Sequence, residues 1–301
     1  MVLKMRSWLF APGDSEKKMG KAVSGADGVR ADIALLDLED SVTPANKPAA
    51  RQMVAGMLET VPEAERARIW VRINPLDTPD AAMDLAAIIP ARPGGILLPK
   101  AEGAAHITQL HHYLTALEAA HSIASGTTLI MALVTETAAA MFRTGDYAGE
   151  YPGKGRLVAM SWGAEDLSSA LGASVQRRAD GEYAHTYEMA RSLCLVGAVA
   201  AGVAPVETVQ PEFRDLEALG ERARAMRSAG FRGMLAIHPA QIGPINTAFT
   251  PSEGEIAHAK AVVKAFADNP GAGTIAIDGA MLDRPHLALA QRLLAEADTD
   301  S

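Results

Sequence analysis

The stretch "ADIALLDLEDSV" (31–42) is an apolar run, Ile33 to Leu38, interrupted only by Asp37 and ending in Glu39 and Asp40. A short continuous apolar run bounded by polar residues reads as a strand buried on both faces, which is what a parallel sheet covered by helices requires. The three acids crowd into four positions and repel one another, so a cation or a cationic side chain is expected nearby.

Outward from that run, the same pattern recurs in "RSWLFAP", "IWVRIN", "GILLPK", "LIMALVTE", "LVAMSWG", "PVETVQ" and "GMLAIHP", each followed by an amphipathic stretch such as "HITQLHHYLTALEAAH". Alternating strands and helices imply parallel strands with crossover helices. Eight such units fit a closed (β/α)₈ TIM barrel of about 250 residues. The doubly wound open sheet is the alternative, but its "GxGxxG" turn is absent after the first strand. The expected division is a barrel over 1–249 and a lid over 250–301. In the lid, Thr250 is placed as N-cap, Pro251 at the first helical position and Glu253 as the other half of a capping box. The rest of the tail reads helix, Gly-rich turn, short strand and helix, too small to hold a secure core of its own. It is expected to pack as a lid or arm, on this subunit or another. "GDYAGEYPGKG" (145–155) reads as a flexible loop.

The chain's 301 residues are 49% hydrophobic and 21% charged, with a formal charge of -8. That balance argues against a nucleic-acid surface, which needs clustered Lys and Arg. A single cysteine, Cys194, excludes internal disulfides. No run approaches the ~20 apolar residues of a membrane span, and the N-terminus lacks a signal-peptide pattern, so a cytoplasmic location is expected.

Reacting groups in such a barrel lie where strands end. The strand ends deliver Pro12, Gly13 and Asp14; Glu39 and Asp40; Arg72 and Asn74; Lys100; Glu136; Glu165 and Asp166; Gln210 and Glu212; and His238. Several acids converging on one mouth call for a cation, and Mg²⁺, an oxygen-seeking ion that keeps several waters, fits better than zinc. The histidines show no zinc spacing, and His111-His112 reads as a solvated helix face. Arg72 offers a planar fork for a carboxylate or a developing enolate oxygen, or else an ion pair with the mouth acids. Asp14 is expected to cap the first helix, whose Lys17, Lys18 and Lys21 either form a solvated face or meet the phosphates of a large ligand. Lys100 as a Schiff-base nucleophile is a rival, weakened by the acids that would keep it protonated.

The motifs "RSWLFAPGDSEKK", "LLDLEDSVTPANKPAAR", "VRINPLDTP", "GILLPKAE", "ALVTETAAA", "GAEDLSSALG" and "AIHPAQIGPINTAFTPSEGEIAHAKAVVKAF", in this order, resemble the citrate lyase β-subunit-like family. That group lies within the malyl-CoA and citramalyl-CoA lyase superfamily of HpcH/HpaI aldolase fold. The resemblance implies a barrel with a C-terminal lid, in trimers or hexamers. It implies Mg²⁺ held by Glu136 and Asp166, metal-bound waters held by Glu39 and Asp40, and a substrate carbonyl oxygen held by Arg72. Asp283 in "GAMLDRP" is implied to handle protons in a neighbouring subunit's site. Arg6, Pro12, Lys17 and Lys18 are the expected contacts of an acyl-CoA substrate. The implied reaction is cleavage, or formation, of a 3-hydroxyacyl-CoA such as malyl-CoA, citramalyl-CoA or citryl-CoA, giving acetyl-CoA and a 2-keto acid. An aldolase on free 2-keto acids, a partner-dependent subunit and a thioesterase are the alternatives. At the seventh strand the chain departs from the family pattern: "VETVQPEFRD" stands where members carry something like "IDGVYTDFRD", with Glu207 in place of Asp.

Overall fold

In a computed structural model, which describes residues 3–25, 28–277 and 279–298, eight parallel strands close into a barrel in chain order. They are β1 (Ser7–Pro12), β2 (Ile33–Asp37), β3 (Ile69–Arg72), β4 (Gly95–Leu98), β5 (Leu129–Leu133), β6 (Leu157–Ser161), β7 (Ala204–Glu207) and β8 (Gly233–Ala236). The surrounding helices are α1 (Glu16–Ser24), α2 (Lys47–Thr60), α3 (Glu63–Arg66), α4 (Pro79–Ile88), α5 (Ala104–Ala120) and α6 (Ala138–Met141). They continue with α7 (Ala164–Leu171), α8 (His185–Ala201), α9 (Leu216–Ala229) and α10 (Ile242–Ala248). The expected (β/α)₈ barrel is therefore observed, with all eight strands in the expected runs. No described helix is long and apolar enough to cross a membrane.

Side chains alternate across each strand, so one set fills the barrel and the other packs under the helices. Trp8, Ile33, Leu35, Trp70, Leu97, Met131, Leu133, Ala159, Val206 and Leu235 form the inner cluster. Trp8 and Trp70 meet edge to face with ring centroids 5.0 Å apart, an arrangement worth about 0.5–1.5 kcal/mol beyond area burial. Their indole N–H groups donate to Met5 O and Ala67 O, which places both rings at the end of the barrel where strands begin. Glycine at 95 is required there, because a Cβ would stand 2.5 Å from the Trp70 ring.

Two local expectations are corrected. Ser15, not Asp14, occupies the N-cap of α1, since the Asp14 carboxylate turns instead to accept from Asn46 Nδ2. The segment 145–155 is not a free loop. It forms two 3₁₀ turns around Tyr147, which is fully buried, accepts from Gly103 N and donates to Ala101 O.

The tail comprises α11 (Glu253–Asp268), a hairpin of β9 (Thr274–Ile277) and β10 (Ala280–Asp283), and α12 (Arg284–Asp298). The expected lone strand is thus a pair, in antiparallel register from Ala280↔Ile277 to Asp283↔Thr274. The tail gathers a small cluster of its own in Ala259, Val262, Phe266, Leu282 and Ala290. The capping box is real but shifted by two residues. Ser252 accepts from Glu255 N, and Glu255 accepts from Ser252 N. Thr250 is committed elsewhere, donating to Asn246 O and accepting from Arg6 Nη1. Glu296 of α12 pairs with Arg232 just before β8, so the arm reaches the end of the barrel where the strands start.

Candidate active site

The strands end around a cavity of about 440 Å³ bordered by Phe10, Pro12, Asp37, Asp40, Arg72 and Glu136, together with Trp162 to Asp166, Thr208, Val209 and Ile237. Strand register builds its first element. Asp37 and Arg72 are directly paired at the ends of β2 and β3, so a carboxylate and a guanidinium arrive side by side. Arg72 Nε and Nη2 donate to the two Asp37 oxygens at 2.6 and 2.7 Å, a bidentate pair that fixes the fork. Burial opposes both charges, but each outweighs that cost for the other: Asp37 is held below the usual carboxylate range and Arg72 above the usual guanidinium range. Nη1 of Arg72, left over by that pair, lies 2.9 Å from Glu39 Oε2 and 3.6 Å from Asp40 Oδ2. The Phe10 ring lies 4.9 Å from its guanidinium carbon.

Glu39 is almost fully buried while Asp40 is exposed. The segment that carries them is tied from below, where Lys47 Nζ donates to Leu38 O, Glu39 O and Asn74 Oδ1. Asn74 in turn donates to Asp84 and to Leu38 O. Glu39 Oε1 takes a 2.6 Å bond from Lys100 Nζ, yet burial still raises its pKa against Arg72 and Lys100.

Glu136, just beyond β5, is buried and accepts from Lys100 N at 2.7 Å. Asp166 sits in the first turn of α7 beyond β6, 3.4 Å from Lys100 Nζ. Desolvation first, and then the charges of Asp166 and Glu39, push Glu136 well above the ordinary carboxylate range. Gly163 allows this approach, since a Cβ there would lie 2.7 Å from Glu136 Oε1. Among the described residues no group of three or more His, Cys, Asp or Glu is disposed to hold a metal ion. The donor set on offer is a pair. Asp37 is balanced by Arg72 and Glu39 by Lys100, which leaves Glu136 and Asp166, with the exposed Asp40 near them, short of a full counter-charge. Two carboxylates facing a cavity with room for waters suit one hard divalent cation.

Of the remaining expected residues, Pro12 borders the cavity. Arg6 does not: it precedes β1 at the opposite end of the barrel, bonded to Asp32 and Thr250. Parallel strands put their first residues at the end away from the mouth, so Arg6 does not border this cavity. Lys17 and Lys18 are exposed on α1 and do not border the cavity. Asp283 ends β10, half-exposed, with its carboxylate 2.5 Å from His286 Nδ1, and does not border this chain's cavity. His238 caps the turn Pro239–Gln241 and stacks on Phe213. His111 accepts from Arg156. Glu207 is buried, does not border the cavity, and takes bonds from Trp162 Nε1 and Arg222. Its neighbours Thr208 and Val209 border the cavity instead. The sequence reading assigned no role to Asp37, although its position inside an apolar run was the available signal. Lys100 is held above the usual ammonium range by its bond to Glu39, the opposite of what a Schiff-base nucleophile needs.

Comparison with known proteins finds relatives over nearly the whole chain. The model of the HpcH/HpaI aldolase/citrate lyase family matches residues 6–239. A citrate lyase subunit beta-like protein of Mycobacterium tuberculosis is 36% identical over 290 residues, 96% of this chain and 94% of that protein. A (3S)-malyl-CoA thioesterase of Cereibacter sphaeroides is 34% identical over 295 residues, 97% of this chain and 94% of that protein. Among solved structures, CitE of Mycobacterium tuberculosis in complex with magnesium, acetoacetate and coenzyme A superposes with a TM-score of 0.77, at 34% identity, covering 98% of each chain.

Proposed function

The chain belongs to the HpcH/HpaI aldolase/citrate lyase family, and from that premise we propose that it is a Mg²⁺-dependent carbon–carbon lyase. Its substrate is a 3-hydroxyacyl-CoA of the malyl-CoA, citramalyl-CoA or citryl-CoA type, cleaved to, or formed from, acetyl-CoA and a 2-keto acid. The observation that carries this reading is the pair Glu136 and Asp166, short of counter-charge, on the same cavity as Arg72. The magnesium, acetoacetate and coenzyme A bound by the CitE structure support it.

Glu136 and Asp166 would hold the ion, and Glu39 and Asp40 would hold its surrounding waters. When bound, Mg²⁺ would supply a Lewis acid for the oxygens of the hydroxy-acid half of the substrate. Arg72 meets the negative charge that develops on the thioester carbonyl oxygen as the carbon–carbon bond breaks. Asp37 keeps that guanidinium aimed, so little reorganisation is needed at the moment of reaction. Pro12 and the apolar Phe10 and Leu133 bound the space for the acyl group. Asp283, half-exposed and not bordering this chain's cavity, serves protons to the mouth of a neighbouring copy in a trimer or hexamer, and the tail from residue 250 is the arm that delivers it.

A second outcome is favoured by one finding: the relative named (3S)-malyl-CoA thioesterase. Water then intercepts the acyl group and free CoA appears. Incubation with malyl-CoA, citramalyl-CoA and citryl-CoA, with Mg²⁺ or EDTA and mass-spectrometric detection, separates the readings. Mg²⁺-dependent acetyl-CoA confirms the lyase and free CoA the thioesterase. Inertness toward all three moves the assignment to a free-acid aldolase or a partner-dependent subunit.

A further inference from the structure

Lys100 follows β4 with φ +50°, a left-handed backbone that a residue bearing a Cβ adopts only at a cost. Two bonds in opposite directions hold it there. Its N–H donates to Glu136 Oε2 at 2.7 Å, and its Nζ lies 2.6 Å from Glu39 Oε1 and 3.4 Å from Asp166 Oδ1. One residue therefore touches the acids delivered by β2, β5 and β6. Glycine would adopt this backbone without strain and would present the same N–H. What lysine adds is the charge.

We propose that Lys100 is a tethered counter-cation of the metal site, which shares Asp166 while the divalent ion is absent and yields it when the ion binds. This rests on the proposed metal reading of Glu136 and Asp166. The two ammonium contacts differ in the required way: the Glu39 bond is short, while that to Asp166 is loose. The rest of the site cannot take this part, because Arg72 is locked to Asp37 by a bidentate pair, whereas a lysine ends in a single mobile charge on a flexible stem. Lys100 remains on Glu39 throughout, so Glu136 and Asp166 are the two carboxyl groups left for the divalent ion. Each binding event must displace the ammonium from Asp166, and this lowers the affinity and keeps the ion exchangeable.

The test uses Mn²⁺ as the probe, with free Mn²⁺ followed by electron paramagnetic resonance on the full chain, its Lys100→Met and its Lys100→Gly variants. Lys100→Gly keeps the left-handed backbone and the N–H to Glu136, so it guards against a variant that fails to fold, as checked by circular dichroism. The expected result is Mn²⁺ bound about tenfold tighter by the variants than by the wild type, because a like charge beside a ligand has been removed. Equal or weaker binding by folded Lys100→Gly overturns the proposal, since a lysine that merely propped up the acids would weaken binding when lost. A wild-type chain that binds no Mn²⁺ at millimolar concentration overturns the metal reading itself, and this proposal with it.

Discussion

Glu118 and Glu136 are the same residue type, both almost wholly buried, and they end up in opposite states. Glu118, on α5 in the outer layer, accepts from Arg156 Nη1 and Nη2 at 2.8 and 2.6 Å and from Gly126 N and Thr128 N. Burial alone would raise its pKa, but Arg156 and the two backbone donors bring it down to about 2. Glu136 has one backbone donor and faces two other acids, and it is pushed up. Burial is thus common to both, and the state of an acid is decided by whether its neighbours already supply the compensating charge. A fully compensated acid is a structural tie, and an uncompensated one at a cavity is an open valence for a ligand.

The sharpest way to break this comparison is to neutralise each acid in turn. Glu136→Gln should lower Mg²⁺-dependent turnover by more than about 10³-fold while raising the melting temperature of the metal-free chain, because it removes buried repulsion. A metal-free variant that melts below the wild type would contradict the assignment. Glu118→Gln should do the reverse, costing about 3–5 kcal/mol by leaving Arg156 buried and unpaired, with Mn²⁺ affinity unchanged; denaturant unfolding and a binding titration read both.

The two acids should also give opposite pH slopes. The folded-state pKa of Glu118, about 2, lies below its ordinary 4.5. Its contribution is therefore complete above pH 4.5 and is lost as pH falls toward 2, so the gap between wild type and Glu118→Gln should close over that window. Glu136 is shifted upward, so its gap to Glu136→Gln should open as pH rises above 4.5. Unfolding free energies at a series of pH values, without metal, test both signs.

A smaller effect is expected at Arg72→Lys, which keeps a charge but loses the fork on Asp37. The expected loss is about 3 kcal/mol of transition-state stabilisation, seen in kcat more than in KM, and unchanged kcat would refute the oxyanion role. The smallest is Ser252→Ala in the capping box, about 1 kcal/mol, seen in thermal unfolding and without effect on metal binding.

How much of this was legible in the sequence follows from what each element depends on. The eight strands depend on local apolar runs, and the positions of Glu39, Asp40, Arg72, Glu136 and Asp166 follow once strand ends are known to share one mouth. The pairing of Asp37 with Arg72 depends on register between strands, which no single stretch encodes. Arg6 lies off the cavity because its motif runs the whole length of β1, from the end where the strands start to the mouth. The caps of α1 and α11 were missed by one or two residues because Asp14 and Thr250 had nonlocal partners, Asn46 and Arg6. Tyr147 orders a Gly-rich segment through bonds to Gly103 and Ala101, again across a distance the sequence does not show. The backbone of Lys100 belongs to the same class, since the acids that hold it come from other strands.

The edge-to-face Trp8 and Trp70 at the far end of the barrel carry a kinetic consequence. With the rest of the inner cluster they fill the barrel, so among the described residues the cavity opens at the face where strands end. A fragment held at that mouth by Glu136 and Asp166 is expected to depart only after the CoA-bearing fragment outside it has gone. Under the proposed reaction the keto acid is therefore the last to leave, and as an inhibitor it should compete with the substrate for the same free enzyme, a pattern that steady-state product inhibition would show directly.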